Sequence, residues 1–300
     1  MVTPRYPAGT FLRLGLVFAV VHSVYWGLGI HYDAGSLETF MHFLDPPLLQ
    51  TRLLESFYYL HIQPPFMNLF AGLVLKLAPD SAWPFMVAAL FHGFLLYVAV
   101  FLLQRRFGVR PVIAAITSTL FMASPAFILW EHFLLYTLPC AAWLALCMLF
   151  LVDYFETEQR RYALGAFVVV MLLCGTRSAF HLGFFVIVIA LVLIAKRKLW
   201  KQSLILASIP FLIIFSIYFK NLLVFGEFTM CTFVEKNIWI MTAGNLSGEQ
   251  KNALVEDGKL SEFTYVMRWA SLDAYPPEYK NVPEHLAHIP ALNETHKSIR

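Results

Sequence analysis

The chain has 300 residues, 59% of them apolar and only 14% charged, with 22 Lys and Arg against 19 Asp and Glu. A soluble globular chain carries about 25% charged residues. This one, with a mean hydropathy of +0.66, cannot cover its surface with polar groups and must use lipid as its solvent. A net charge of +3 with no Lys/Arg-rich arm argues against a nucleic-acid partner, and the composition argues against intrinsic disorder over most of the length.

A spanning helix needs about 20 apolar residues, and seven segments come near that: 11–30, 82–103, 112–130, 134–152, 162–176, 179–195 and 203–219. The first follows only Arg5 and Arg13. It is too long for a signal-peptide core and has no convincing small-residue cleavage site before Tyr32, so it reads as a retained anchor. The short apolar stretch 66–79 reads as interfacial or re-entrant rather than spanning. Residues 162–195 would be about 51 Å long as one helix at 1.5 Å per residue. Gly175-Thr176-Arg177 lies near their middle, and basic clusters (Arg160 and Arg161; Lys196, Arg197 and Lys198) flank both ends. Two antiparallel helices fit better.

With seven crossings and the N-terminus inside, 11 of the 15 basic residues before the tail fall inside. Six of the nine acidic ones (Asp33, Glu38, Asp45, Glu55, Asp80 and Glu131) fall outside, as the positive-inside rule asks. Trp26, Trp83 and Trp130 then belong to an outer aromatic belt and Trp200 to an inner one. The expected fold is all-α and polytopic, with about seven transmembrane helices and amphipathic helices in the first outer loop. Residues 1–225 form the membrane domain. Residues 226–300 form an outward-facing soluble tail without an obvious core, in which 7 basic and 10 acidic residues are concentrated. Cys140, Cys147 and Cys174 sit in apolar segments and read as small core residues; Cys231 has no evident partner.

This topology gathers the polar residues on one side. The loop 31–65 carries His31, Asp33, Glu38, His42, Asp45 and Glu55, then His61-Ile62-Gln63-Pro64-Pro65. Glu38, Asp45 and Glu55 suit the exposed side of an amphipathic surface helix. Asp33 is either a helix-end residue or a carboxylate acting as general base or metal ligand. Pro64-Pro65 starts a helix well and would aim His61 and Gln63 back over the membrane surface. Glu131-His132 lies between Trp130 and an apolar run, where an ionised group is costly unless it faces a polar cavity. Arg177 lies on the side where the positive-inside preference does not place arginine. Either a buried carboxylate such as Glu131 pairs with it, or an anionic ligand such as a phosphate is gripped there. His181 follows at i, i+4, one turn further along the same expected helix face. His22 and His92, inside spans, read as packing or hydrogen-bonding residues.

No Gly-rich phosphate loop, HExxH or nucleophile elbow is present, so soluble nucleotide chemistry has no support. Histidines and carboxylates are too scattered for a dedicated metal site to be read. Asn245-Leu246-Ser247 and Asn293-Glu294-Thr295 match the N-glycosylation sequon.

The quoted motifs resemble the GT-C glycosyltransferases, in particular the bacterial branch akin to protein mannosyltransferases, aminoarabinose transferases and lipopolysaccharide sugar transferases. The resemblance rests on His31-Tyr32-Asp33, His61-Ile62-Gln63-Pro64-Pro65-Phe66, the Glu131-His132 to Tyr136-Thr137-Leu138-Pro139 run, and Thr176-Arg177-Ser178-Ala179-Phe180-His181. It covers about residues 10–225. Such enzymes take a sugar from a polyprenyl-phosphate carrier at the outer membrane face, on a module of seven helices. The resemblance implies that Asp33 is the catalytic acid/base and that Glu131 orients an acceptor or a neighbouring base. It implies that His61 and Gln63 stand by the element that holds the carrier phosphate, that Arg177 contacts that phosphate, and that His132, Tyr136 and His181 line the substrate site. Gln63 stands where many relatives carry a charge before Pro-Pro. Many members also have further spans and a folded outer domain, so this chain, with its 74-residue tail, reads as small or incomplete.

The expected function is therefore transfer of a sugar from a polyprenyl-phosphate donor to a glycan, lipid or protein acceptor, in the cytoplasmic membrane with the site facing outward. Arg177 or a divalent metal ion would stabilise the leaving phosphate. A transporter or flippase for a lipid-linked or anionic substrate, and a non-catalytic membrane subunit, are the competing readings. Transporters place polar sites near the midplane, often with inverted repeats; here the charges collect at one face and no repeat is visible.

Overall fold

The structure, a computed structural model, describes residues 9–40, 42–79, 81–232, 241–265, 286, 288 and 289. Arg5, Asp80, the sequon at Asn293 and much of the 226–300 tail lie outside the described residues.

Helix α1 (Gly9–Gly27) is followed by three short helices of the first loop, α2 (Ser36–Thr39), α3 (Pro46–Thr51) and α4 (Leu53–Tyr59), and by the apolar α5 (Phe66–Leu77). Then come α6 (Trp83–Arg106), α7 (Pro111–Met122), α8 (Pro125–Glu131), α9 (Thr137–Thr157), α10 (Arg160–Thr176), α11 (Leu182–Ala195) and α12 (Trp200–Phe225). A short α13 (Gly248–Glu256) follows in the tail, closed at its start by a reciprocal capping box of Ser247 and Gln250. Among the described residues there is no strand, only one isolated bridge between Asp33 and Phe133.

The seven apolar segments all form helices, but they are unequal. Four helices, including α12 with the turn before it, are long and apolar enough to cross a membrane. α7 and α8 make a fifth only if counted as one span bent by 60°. The expectation of one helix over 112–130 is therefore corrected: Pro125 has no N–H to offer the preceding turn, and the Ser124 hydroxyl caps α8 by accepting from Phe127 N at 3.4 Å. α11, with 14 residues, is about 21 Å long, short of the hydrocarbon core. α5, with 12 residues, starts directly after Pro64-Pro65 as expected and is also too short to span.

Two surface expectations change. Asp45 is buried at the start of α3, whereas Glu38 is exposed and Glu55 pairs with Arg52 at 3.6 Å. Arg177 and His181 do not share a helix face. α10 ends at Thr176, Arg177 is extended (φ −135°, ψ 128°), and the His181 side chain caps α11 by accepting from Gly183 N.

Polar contacts define the two ends of the bundle. At one, Arg106 Nε meets Asp153 Oδ1 at 2.7 Å, Lys196 Nζ meets Glu158 Oε1 at 2.7 Å, and Arg160 donates to Gln202 at 3.0 Å. These tie together the ends of α6, α9 and α11 and the starts of α10 and α12. At the other, the first loop docks on the α8–α9 link, and Lys220 of α12 donates to the carbonyls of Tyr58 (2.7 Å) and Leu60 (3.0 Å). The loop is further pinned by Asn68 of α5, which accepts from Leu44 N and donates to the His42 carbonyl. All four cysteines are buried. Cys231 lies against the Ile62 carbonyl, so the start of the tail packs on the same loop. Leu286 and Ile289 of the tail pack on Tyr59, Val224 and Phe225.

Candidate functional site

The irregular link 132–136 between α8 and α9 is the hub of the loop end. Asp33 N donates to the His132 carbonyl (2.7 Å) and Leu134 N donates to the Asp33 carbonyl (3.0 Å). The buried Ser36 hydroxyl adds a bond to the Leu134 carbonyl at 2.5 Å. The Asp33 side chain stays exposed, with Oδ1 accepting from Gly35 N at 2.7 Å. A side chain at position 35 would crowd that oxygen.

Behind this bridge Glu131 is buried, with 1% of its surface exposed. Its Oε2 pairs with His22 Nε2 of α1, not with Arg177. Its Oε1 is buried with no hydrogen-bond partner among the described residues and lies where a Cβ on Gly93 of α6 would have to sit. His132 is buried beside it, its Nδ1 bonded to the Ile128 carbonyl at 3.0 Å; burial holds its pKa below the ordinary value.

At the far end of the link, Tyr136 lies between two groups. The His42 ring meets it edge-on at 5.3 Å, and the Arg177 guanidinium lies 5.4 Å from its centroid. Burial raises the pKa of the Tyr136 phenol. Burial, then the charge of Arg177, lowers that of His42. Arg177 is exposed and has no ion pair among the described residues. Asp33, Glu131, His132, Tyr136 and Arg177 are thus joined through one link. His42, which sequence reasoning noticed but did not select, belongs with them; its place in the acidic, histidine-bearing loop was the only signal.

The other expected residues lie elsewhere. The His61 ring lies tilted against Phe225 of α12, centroids 4.2 Å apart, and its carbonyl accepts from Thr232 N; burial lowers its pKa. Gln63 is buried. His181 lines a second cavity of about 650 Å³ with Ser178, Tyr218, Thr229 and Cys231.

Another cavity, about 390 Å³, lies beside the hub between α5, α6, α9 and α10. Its wall is apolar except for Tyr32, His92, Glu131 and Thr176. Thr176 lines this cavity and Ser178 the second, so Arg177 stands between them. Among the described residues no three His, Cys, Asp or Glu side chains gather as a metal-binding group.

Fold and site together define a multi-pass helical membrane protein with a polar hub beside an apolar cavity. Residues 62–219, more than half of the chain, match the dolichyl-phosphate-mannose-protein mannosyltransferase family. The chain belongs to that family and is a membrane glycosyltransferase of the GT-C type. The matched region holds Gln63, Glu131, His132, Tyr136, Arg177 and His181 and stops short of Asp33 and His61. No curated protein and no solved structure matches this chain.

Proposed function

We propose that the chain transfers a sugar from a polyprenyl-phosphate carrier to a glycan, lipid or protein acceptor at the outer face of the cytoplasmic membrane, using seven crossings with the N-terminus inside. The membrane domain ends near residue 225 and the tail contributes to the outer side. The observation that carries this reading is that one short link beside an apolar cavity holds the exposed Asp33 through the backbone at one end and meets the exposed Arg177, which has no ion pair among the described residues, through Tyr136 at the other.

The carrier's hydrocarbon chain occupies the apolar cavity between α5, α6, α9 and α10, and its phosphate meets Arg177. The acceptor hydroxyl oxygen attacks the anomeric carbon, and its proton passes to the Asp33 carboxylate. The bond from that carbon to the phosphate oxygen breaks, its electron pair leaving on the polyprenyl phosphate. Arg177 stabilises that developing charge; a divalent ion is the alternative source of positive charge. Tyr136 and His42 orient the guanidinium. Glu131, buried behind Asp33, acts by positioning the link rather than by touching substrate. His61 and Gln63 support the wall on the α12 side, and His132 and His181 complete the surroundings.

The seven-crossing topology is supported by the ion pairs at the basic end and by the packing of α10 between α9 and α12, which shields short helices from lipid. The test is sugar transfer from polyprenyl-phosphate donors by purified variants. Asp33→Asn lowers kcat by about 10²–10⁴-fold without changing thermal unfolding. Arg177→Ala costs about 10²–10³-fold, and Arg177→Lys restores little of it because the planar fork is lost. Full transfer by Asp33→Asn sinks the assignment.

A further inference from the structure

His22 lies in α1, outside the matched region, and the sugar-transfer chemistry above makes no use of it. Its surroundings are unusual for a histidine inside a span. Both ring nitrogens face oxygen: Nδ1 lies 2.8 Å from the Phe18 carbonyl and Nε2 faces Glu131 Oε2. A carbonyl only accepts, so Nδ1 carries a hydrogen. A bare Nε2 and a bare carboxylate oxygen repel, so these two atoms share one further proton. Whichever holds it, the pair as a unit is neutral, the form in which two ionisable groups persist in apolar surroundings.

The setting is built for the pair. The Phe18 ring stacks on His22 at 3.9 Å. Gly93 leaves room for the other Glu131 oxygen. The groups that face the pair are His132, whose ring is 5.9 Å from His22, with His31 beyond it, and His92 and Tyr32 in the adjoining cavity wall. None of these is a carboxylate that could compete for His22.

We propose that His22 is a positioning residue for Asp33. By sharing a proton with Glu131 it anchors the end of α8, and the next residues hold Asp33 through the bridge to His132 and Leu134. Its bearing on catalysis rests on the glycosyltransferase reading; the anchoring does not.

Ser36 provides the test, because it is buried only while the loop is docked, and all four native cysteines are buried. In the full-length protein in detergent, maleimide labelling of Ser36→Cys is measured relative to Thr39→Cys, which is exposed. Adding His22→Ala raises the ratio by about tenfold or more, since one buried partner is left unpaired. Replacing both, as His22→Leu with Glu131→Leu, brings it back toward the starting value. In the parent the ratio rises with pH as the shared proton is lost, and in the double variant it does not. Ala34→Cys is a second reporter on the same loop should Ser36→Cys itself disturb docking. An unchanged ratio in His22→Ala, or a double variant as loose as the single one, overturns the proposal. Loss of transfer in His22→Ala without increased labelling overturns it too. Absence of transfer in the unmodified protein sinks the glycosyltransferase reading and leaves the labelling result standing.

Discussion

At the scale of single residues, His42 shows how a loop histidine becomes part of a charged site. It is half-buried, its Nδ1 has no hydrogen-bond partner among the described residues, and Arg177 is close enough to disfavour a second positive charge. Its folded pKa is lowered from the ordinary 6.5, as are those of His61 and His132. The unfolded state therefore binds more protons, and stability rises with pH. The contribution is intact above the ordinary value and is lost as pH falls below it. Thermal unfolding in detergent shifts to lower temperature from about pH 7.5 to about pH 5.5, and His42→Asn flattens that slope. A melting temperature indifferent to pH over this range refutes the assignment of these histidines as neutral.

At the scale of elements, α6 and α8 meet where the Glu131 carboxyl lies against Gly93. Any side chain at Gly93 overlaps the Glu131 carboxyl, so Gly93→Ala displaces it from His22. The expected loss is about 3–5 kcal/mol, the cost of breaking a buried pair, read by chemical unfolding; wild-type stability in that variant contradicts the close packing. The His22–Glu131 contact was invisible in the sequence because its partners are 109 residues apart and His22 sits in an unremarkable apolar run. What was legible followed from composition: apolar runs marked helical segments, Pro64-Pro65 gave the start of α5, and basic clusters at both ends of 162–195 gave its division into two helices near Arg177. Hydropathy does not register geometry, so it ran through Ser124-Pro125 without marking the bend. The i, i+4 spacing of Arg177 and His181 suggested a shared helix face because spacing alone cannot tell that a helix has stopped between them. Glu131 was read as a group in need of compensation, and what it meets is His22 rather than Arg177.

At the scale of the whole molecule, the ion pairs Arg106–Asp153 and Lys196–Glu158 collect at the end opposite Asp33 and Arg177. If the basic end lies inside, as proposed, a membrane-impermeant maleimide labels Asn245→Cys on intact cells and reaches Lys198→Cys only after permeabilisation. The unmodified protein gives little background because its cysteines are buried. Labelling of Lys198→Cys from outside reverses the orientation and moves the site to the cytoplasm.

The position of α1 carries one more consequence. Only 6% of its apolar window is buried, against 28–44% for the other membrane-length helices. Among the described residues its polar attachments include His22 to Glu131 and the Tyr25 hydroxyl to the Ala123 carbonyl at the α7–α8 break. In lipid no hydrophobic force draws helices together, so contacts such as these two matter beside a modest packed face. Both receiving sites exist only after α7 and α8 have formed and bent. α1 is made before α7 and α8, yet it docks by these contacts only once both have formed.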